Sequence, residues 1–162
     1  MWNRSKVQSE KLLDCRDPDV RKESSEKTIE RVFRDGSLMA IILRSKYRTN
    51  GIEFFTPESF SQQLAYMNRP AGYRITAHIH NEVPREVLYT QEVLFVRKGK
   101  VKVDFYGIGG AYLESRVLET GDVILLAAGG HGFEMLEDTE MIEVKQGPYS
   151  GDRDKKPLEK DP

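Results

Sequence analysis

The chain has 162 residues and a net charge of −1, from 25 basic and 26 acidic side chains. That length suits one domain with its own core, and the balanced charge gives no reason to expect nucleic acid or an anionic membrane as a partner. The single cysteine, Cys15, excludes an intrachain disulfide; no run nears the ~20 apolar residues of a membrane span and the N-terminal stretch lacks a signal-peptide core, so the expectation is a soluble, cytoplasmic protein.

In chain order, residues 1–27 are polar and charged with weak periodicity. They read as a charged arm that is loose or packs only on a partner. TIERVFR and SLMAIILR, residues 28–44, flank Asp35-Gly36. This dipeptide suits a type I′ hairpin, whose two central residues both need positive φ. The rival reading places Ile29, Val32 and Phe33 on one helical face, with Gly36 as its C-cap. Strands are expected next over GIEFF (51–55), QQLAYMNR (62–69) and RITAHIH (74–80). EVLFVRKGKVKVDFY (92–106) is the clearest element: two β-rich runs flank Lys98-Gly99, and Val101, Val103 and Phe105 alternate with polar residues. YLESRVL (112–118), DVILLAA (122–128), GFEML (132–136) and MIEVK (141–145) complete the series. Residues 147–162 are rich in proline, glycine and charge and read as a tail. Many short strands without crossover helices predict an all-β, antiparallel sandwich or barrel over residues 28–146.

The chain has three histidines, and His78 and His80 stand one residue apart. On a strand, residues i and i+2 share a face. The pair would therefore project together and form half of a site for a divalent transition metal. Glu92 and His131 are the residues best placed to supply further ligands. Glu82 and Glu86 lie nearer to His80 and compete for the carboxylate role. The plain alternative is that His78 and His80 are surface residues of an alternating strand. Arg74 shares their parity and could grip a carboxylate or phosphate, or sit at a solvated strand end. Tyr66, Tyr73, Tyr89, Tyr106 and Tyr112 are possible proton donors, each also explicable as a packing residue. The glycine run over 107–110 has no helix after it and reads as a loop, not a phosphate cradle.

These residues carry a resemblance. Gly72, five residues, His78-Ile79-His80, then Glu92, six residues and Gly99 are similar to the first motif of the cupins. Gly121, followed by five residues and then Ala127, Gly129 and His131, is similar to the second. Three departures stand out. Eleven residues separate His80 from Glu92 where three or four are usual, Ala127 replaces a proline, and His131 comes one residue early without the closing asparagine. The resemblance implies a double-stranded β-helix or jelly-roll barrel, often homodimeric. A divalent transition metal (Fe, Mn, Ni, Cu or Zn) would be held inside by His78, His80, Glu92 and His131.

Three expectations for activity arise. The first is a metal-dependent enzyme, a dioxygenase or an isomerase or epimerase, acting on a small polar molecule, with Arg74, Tyr73 and Tyr106 as candidate catalytic residues. The second is a metal-independent sugar-nucleotide epimerase or isomerase with a histidine base and a tyrosine acid. The third is a module that binds or senses a small ligand without turnover. None of them calls for nucleic acid or a membrane.

Overall fold

Asp35 and Gly36 both adopt positive φ, 49° and 78°, as a type I′ turn requires. They join β1 (Ile29–Arg34) to β2 (Ser37–Leu43) in an antiparallel hairpin with a bulge at Val32/Phe33. The hairpin expected there forms and the helical alternative does not. The protein is seen here as a computed structural model that describes residues 28–151 and 154–158. The arm expected over residues 1–27 lies outside the described residues.

The remaining strands are β3 (Gly51–Phe54), β4 (Ala65–Asn68), β5 (Glu92–Lys98), β6 (Lys100–Tyr106), β7 (Tyr112–Glu119), β8 (Val123–Leu126), β9 (Gly130–Met135) and β10 (Glu140–Lys145). No α-helix occurs among the described residues, so none is long and apolar enough to cross a membrane. Every strand pair is antiparallel. One sheet runs β1-β2-β8-β5-β10, a second runs β7-β6-β9, and β3-β4 is a separate hairpin.

One expected strand is corrected. RITAHIH (74–80) has the alternation of a strand but is not one: no strand lies between β4 and β5. Alternation prepares a face, but a strand also needs a neighbour for its backbone groups. Here β4 pairs with β3, and β5 is flanked by β8 and β10.

The core follows from side-chain parity. Leu94 and Val96 of β5, Ala40 and Ile42 of β2, and Ile124 and Leu126 of β8 turn one way. They meet Val101, Val103 and Phe105 of β6 and Leu118 of β7. Two sheets thus sandwich one apolar layer. Lys100, Lys102 and Asp104 alternate with the buried β6 residues on the outer face. The other face of the large sheet is covered over β2 and β8. Ile41, Leu43 and Leu125 pack there with Tyr47 and Phe55, and with Phe60, Leu64 and Tyr66 from the stretch around the β3-β4 hairpin. This explains why β2 reads as a near-continuous apolar run rather than an alternating one. Between β5 and β6 the chain passes from one sheet to the other through Gly99. Its φ is 84°, and a Cβ there would stand 2.3 Å from the Asp138 carbonyl oxygen.

A polar clamp joins the two sheets at one side. Asp122, 3% exposed, accepts hydrogen bonds from Arg44 Nη1 (2.8 Å), the Ser45 amide (2.8 Å) and the Glu119 amide (3.0 Å). Arg44 also donates to Glu30 Oε1 (2.6 Å) and to the Val117 carbonyl (2.7 Å). Arg116 of β7 donates to the other Glu30 oxygen at 3.0 Å. Residues of β1, β7 and the ends of β2 and β8 are thereby tied through fixed donors and acceptors. We expect Asp122→Ala to lower unfolding stability by about 2–4 kcal/mol in urea denaturation, because it leaves two amides without their acceptor and takes from Arg44 one of its two carboxylate partners. A loss under about 0.5 kcal/mol, typical of surface substitutions, would show that the clamp is not structural.

Candidate functional site

Opposite the clamp, β9 and β10 form free edges of the two sheets among the described residues. The register decides what lies between them. Glu92 opens β5 with the parity of buried Leu94 and Val96, so it faces the layer between the sheets. His131 of β9 stands opposite Phe105 and shares its inward face. The two side chains meet: His131 Nε2 donates to Glu92 Oε2 at 3.1 Å. Lys145, paired with Glu92 across β5-β10, brings Nζ to 3.6 Å from Glu92 Oε1 and to 2.9 Å from Glu143. The His131 ring lies 5.3 Å from that of Phe133.

The electrostatics come from these contacts. The hydrogen bond from His131 holds the Glu92 carboxyl below its ordinary 4.5, against the opposing effect of burial, and Lys145 adds to the lowering. A carboxyl with a lowered folded pKa stabilises the fold above its unfolded value. That contribution is complete above about pH 4.5 and fades as pH falls through the lowered folded value.

His78 and His80 lie elsewhere. Their rings adjoin, with centroids 5.1 Å apart, so the pair does project together. However, every residue from Met67 to Thr90 is exposed, and the pair stands in this segment, outside the Glu92–His131 contact. His78 Nδ1 lies 2.9 Å from the Thr76 carbonyl. A proton on Nδ1 donated there leaves the Nε2 lone pair for a ligand role. Among the described residues no group of three or more His, Cys, Asp or Glu side chains is gathered. The structure therefore brings Glu92 and His131 together and His78 and His80 together, as two separate halves.

The other candidates are scattered. Arg74 and Tyr73 lie in the same exposed segment, with Tyr73 under the Arg69 guanidinium at 4.8 Å. Tyr106 pairs with Gly130, not with His131, so it takes the opposite face of its sheet. There its ring lies 5.9 Å from that of Tyr112. Glu82 and Glu86 are exposed in the 67–90 segment, whereas Glu92 alone reaches His131. Lys145 is a site residue that motif spacing does not single out. Its parity within MIEVK is plain, but only the β5-β10 register places it against Glu92.

Comparison with family models, curated proteins and solved structures gives no match to this chain.

The contacts around Glu92 order its titration. Removing Lys145 takes away the smaller cause of the lowered pKa, and removing His131 the larger. Carboxyl-carbon NMR titration should give Glu92 the lowest pKa in the unmodified chain, a higher one in Lys145→Met and the highest in His131→Ala. An unchanged Glu92 pKa in His131→Ala would show that the two side chains do not meet.

Proposed function

We propose that the chain is a metal-binding protein of the cupin kind, with a jelly-roll sandwich and a divalent transition metal as cofactor. In this reading it is an enzyme for a small polar molecule, in the class of dioxygenases or of sugar or keto-compound isomerases and epimerases. One observation carries this reading. Glu92 and His131 come from two motifs far apart in the chain, yet they meet on the inward face of an antiparallel two-sheet fold. The turn glycines of the two motifs support it: Gly72, Gly99, Gly121 and Gly129 all have positive φ.

The donor set fits a transition metal. Imidazole and carboxylate suit Fe, Mn, Ni, Cu or Zn, whereas calcium asks for oxygen ligands throughout. His131 and Glu92 would hold the ion from the sandwich, and His78 and His80 would complete its shell. When bound, such an ion supplies Lewis acidity or dioxygen chemistry. The chain's own part is to fix the donors. The β5 and β9 ladders hold Glu92 and His131, and His78 Nδ1 is engaged by the Thr76 carbonyl. Lys145 adds to the lowering of the Glu92 pKa that the His131 hydrogen bond chiefly causes, and would be displaced from Glu92 when a cation binds. Arg74, four residues before His78, would offer a planar fork to an anionic group of the substrate.

A second reading draws on the same contact. A histidine hydrogen-bonded to a carboxylate is an oriented general base without any metal, as a metal-independent epimerase or isomerase needs. Metal content separates the two. Purified protein analysed by mass spectrometry should carry a divalent transition metal or take one up, and His131→Ala should weaken uptake at least about tenfold. Protein that arrives metal-free and ignores added Fe, Mn, Ni, Cu and Zn would overturn the metal reading.

A further inference from the structure

Among the described residues, the segment between β4 and β5 is the least satisfied. From Met67 to Thr90 every residue is exposed, including Ile75, Val83, Leu88 and Tyr89, and Ile79 is 94% exposed. From Arg74 to Tyr89 its only hydrogen bonds among the described residues are local ones, at Thr76–His78 and Val83–Arg85. A long connection without structure that leaves this much apolar surface in water is uncommon, and such loops tend to be functional. Its two ends are nonetheless fixed. Leu64 and Tyr66, just before it, pack on the outer face of the large sheet. At the other end, the Gln91 amide donates to Gln146 Oε1 at 2.6 Å.

The sandwich has a matching deficit. Among the described residues, the outer edge of β9 has no strand beside it. The inward face of β9 continues from His131 to Phe133 and Met135, both exposed. On the neighbouring β5-β10 edge, Phe95, Ile142 and Val144 form an exposed apolar stripe on the other face of the large sheet. An unpaired edge beside apolar side chains is a template for an added strand.

We propose that residues 73–80 of one copy add as a strand to the free β9 edge of a second copy, and the reverse, closing a two-fold dimer by exchange of this segment. The proposal rests on the metal reading above and deepens it, because each complete site then takes His78 and His80 from one chain and Glu92 and His131 from the other. The segment has the alternation a strand needs. Arg74, Thr76, His78 and His80 share one face, and Tyr73, Ile75, Ala77 and Ile79 share the other. Eight extended residues span roughly 26 Å, enough to run the length of β9. With the histidine face inward, two imidazoles approach the anionic Glu92. A second copy is the occupant because the segment stands off its own sandwich while carrying the very pattern the edge lacks. Reciprocal exchange gives the backbone of the segment and the β9 edge a ladder partner in both copies.

The test uses two double variants of the full chain with different affinity tags, His78→Ala/His80→Ala and Glu92→Gln/His131→Ala, and Zn(II) as the probe. Each variant alone should bind no zinc. The co-expressed heterodimer, isolated through both tags, should bind about one zinc per dimer, half of what the unmodified dimer holds. A heterodimer without zinc, beside an unmodified protein that binds it, means that the segment closes on its own chain and overturns the proposal. A metal-free measurement separates this from failure of the metal reading. By light scattering the unmodified chain should have twice its 18.6 kDa mass, and replacing residues 74–88 by a short Gly-Ser linker should halve it. If that dependence holds but no zinc binds, the exchange stands and the metal reading falls. An unmodified chain that is monomeric, or a linker variant that stays dimeric, overturns the exchange.

Discussion

The buried carboxylate of Asp122 fixes how the two sheets sit. It gathers the Arg44 guanidinium and two backbone amides, and Arg44 and Arg116 then converge on Glu30. Ionised groups out of water are costly unless every lone pair and proton has a partner, and here the partners come from both sheets. The consequence is an asymmetric sandwich. The side that holds β1, β2 and β7 is tied by charge-assisted hydrogen bonds. On the side that holds β9 and β10 the tie between sheets is the Glu92–His131 contact, and the two edges stand unpaired among the described residues. The Glu92–His131–Lys145 cluster lies on that open side, where a polar group between the sheets can be reached from solvent.

This division of labour accounts for the distribution of residue types. Apolar parity fills the shared layer with Val, Ile, Leu and Phe105, which is 1% exposed. Burial of each such side chain contributes about 1.5–3 kcal/mol. Toward the β9-β10 side the same inward parity changes character, to Glu92, His131, Glu143 and Lys145. A layer that turns from apolar to ionisable along one strand cannot be closed by packing alone. Within one chain the Glu92–His131 and Lys145 contacts satisfy these groups, and the proposed function adds an ion there and the proposed exchange a further strand.

Much of the fold is legible in the sequence because its signals are local. Asp35-Gly36 announces a turn with two positive φ values, and Val101, Val103 and Phe105 announce a half-buried strand. Lys98-Gly99 is legible as a break, but its meaning is not. Sequence cannot tell a hairpin turn from a passage between sheets, because the difference lies in which strands become neighbours. The same limit explains RITAHIH. Its period is that of a strand, yet a ladder partner is a property of the whole arrangement and not of seven residues. In the candidate site, motif spacing names Glu92 and His131, and they meet. It names neither Lys145 nor the Asp122 clamp, since both depend on register between distant strands. An aspartate in a TGD turn gives no sign of being buried with three donors.

The central claim is that one ion is shared by His78, His80, Glu92 and His131. X-ray absorption fine structure of the zinc-loaded protein tests it most directly, because imidazole rings give their own multiple-scattering pattern. The predicted shell has three imidazoles and a carboxylate oxygen around the metal. A shell with one imidazole, or with oxygen ligands alone, would contradict it.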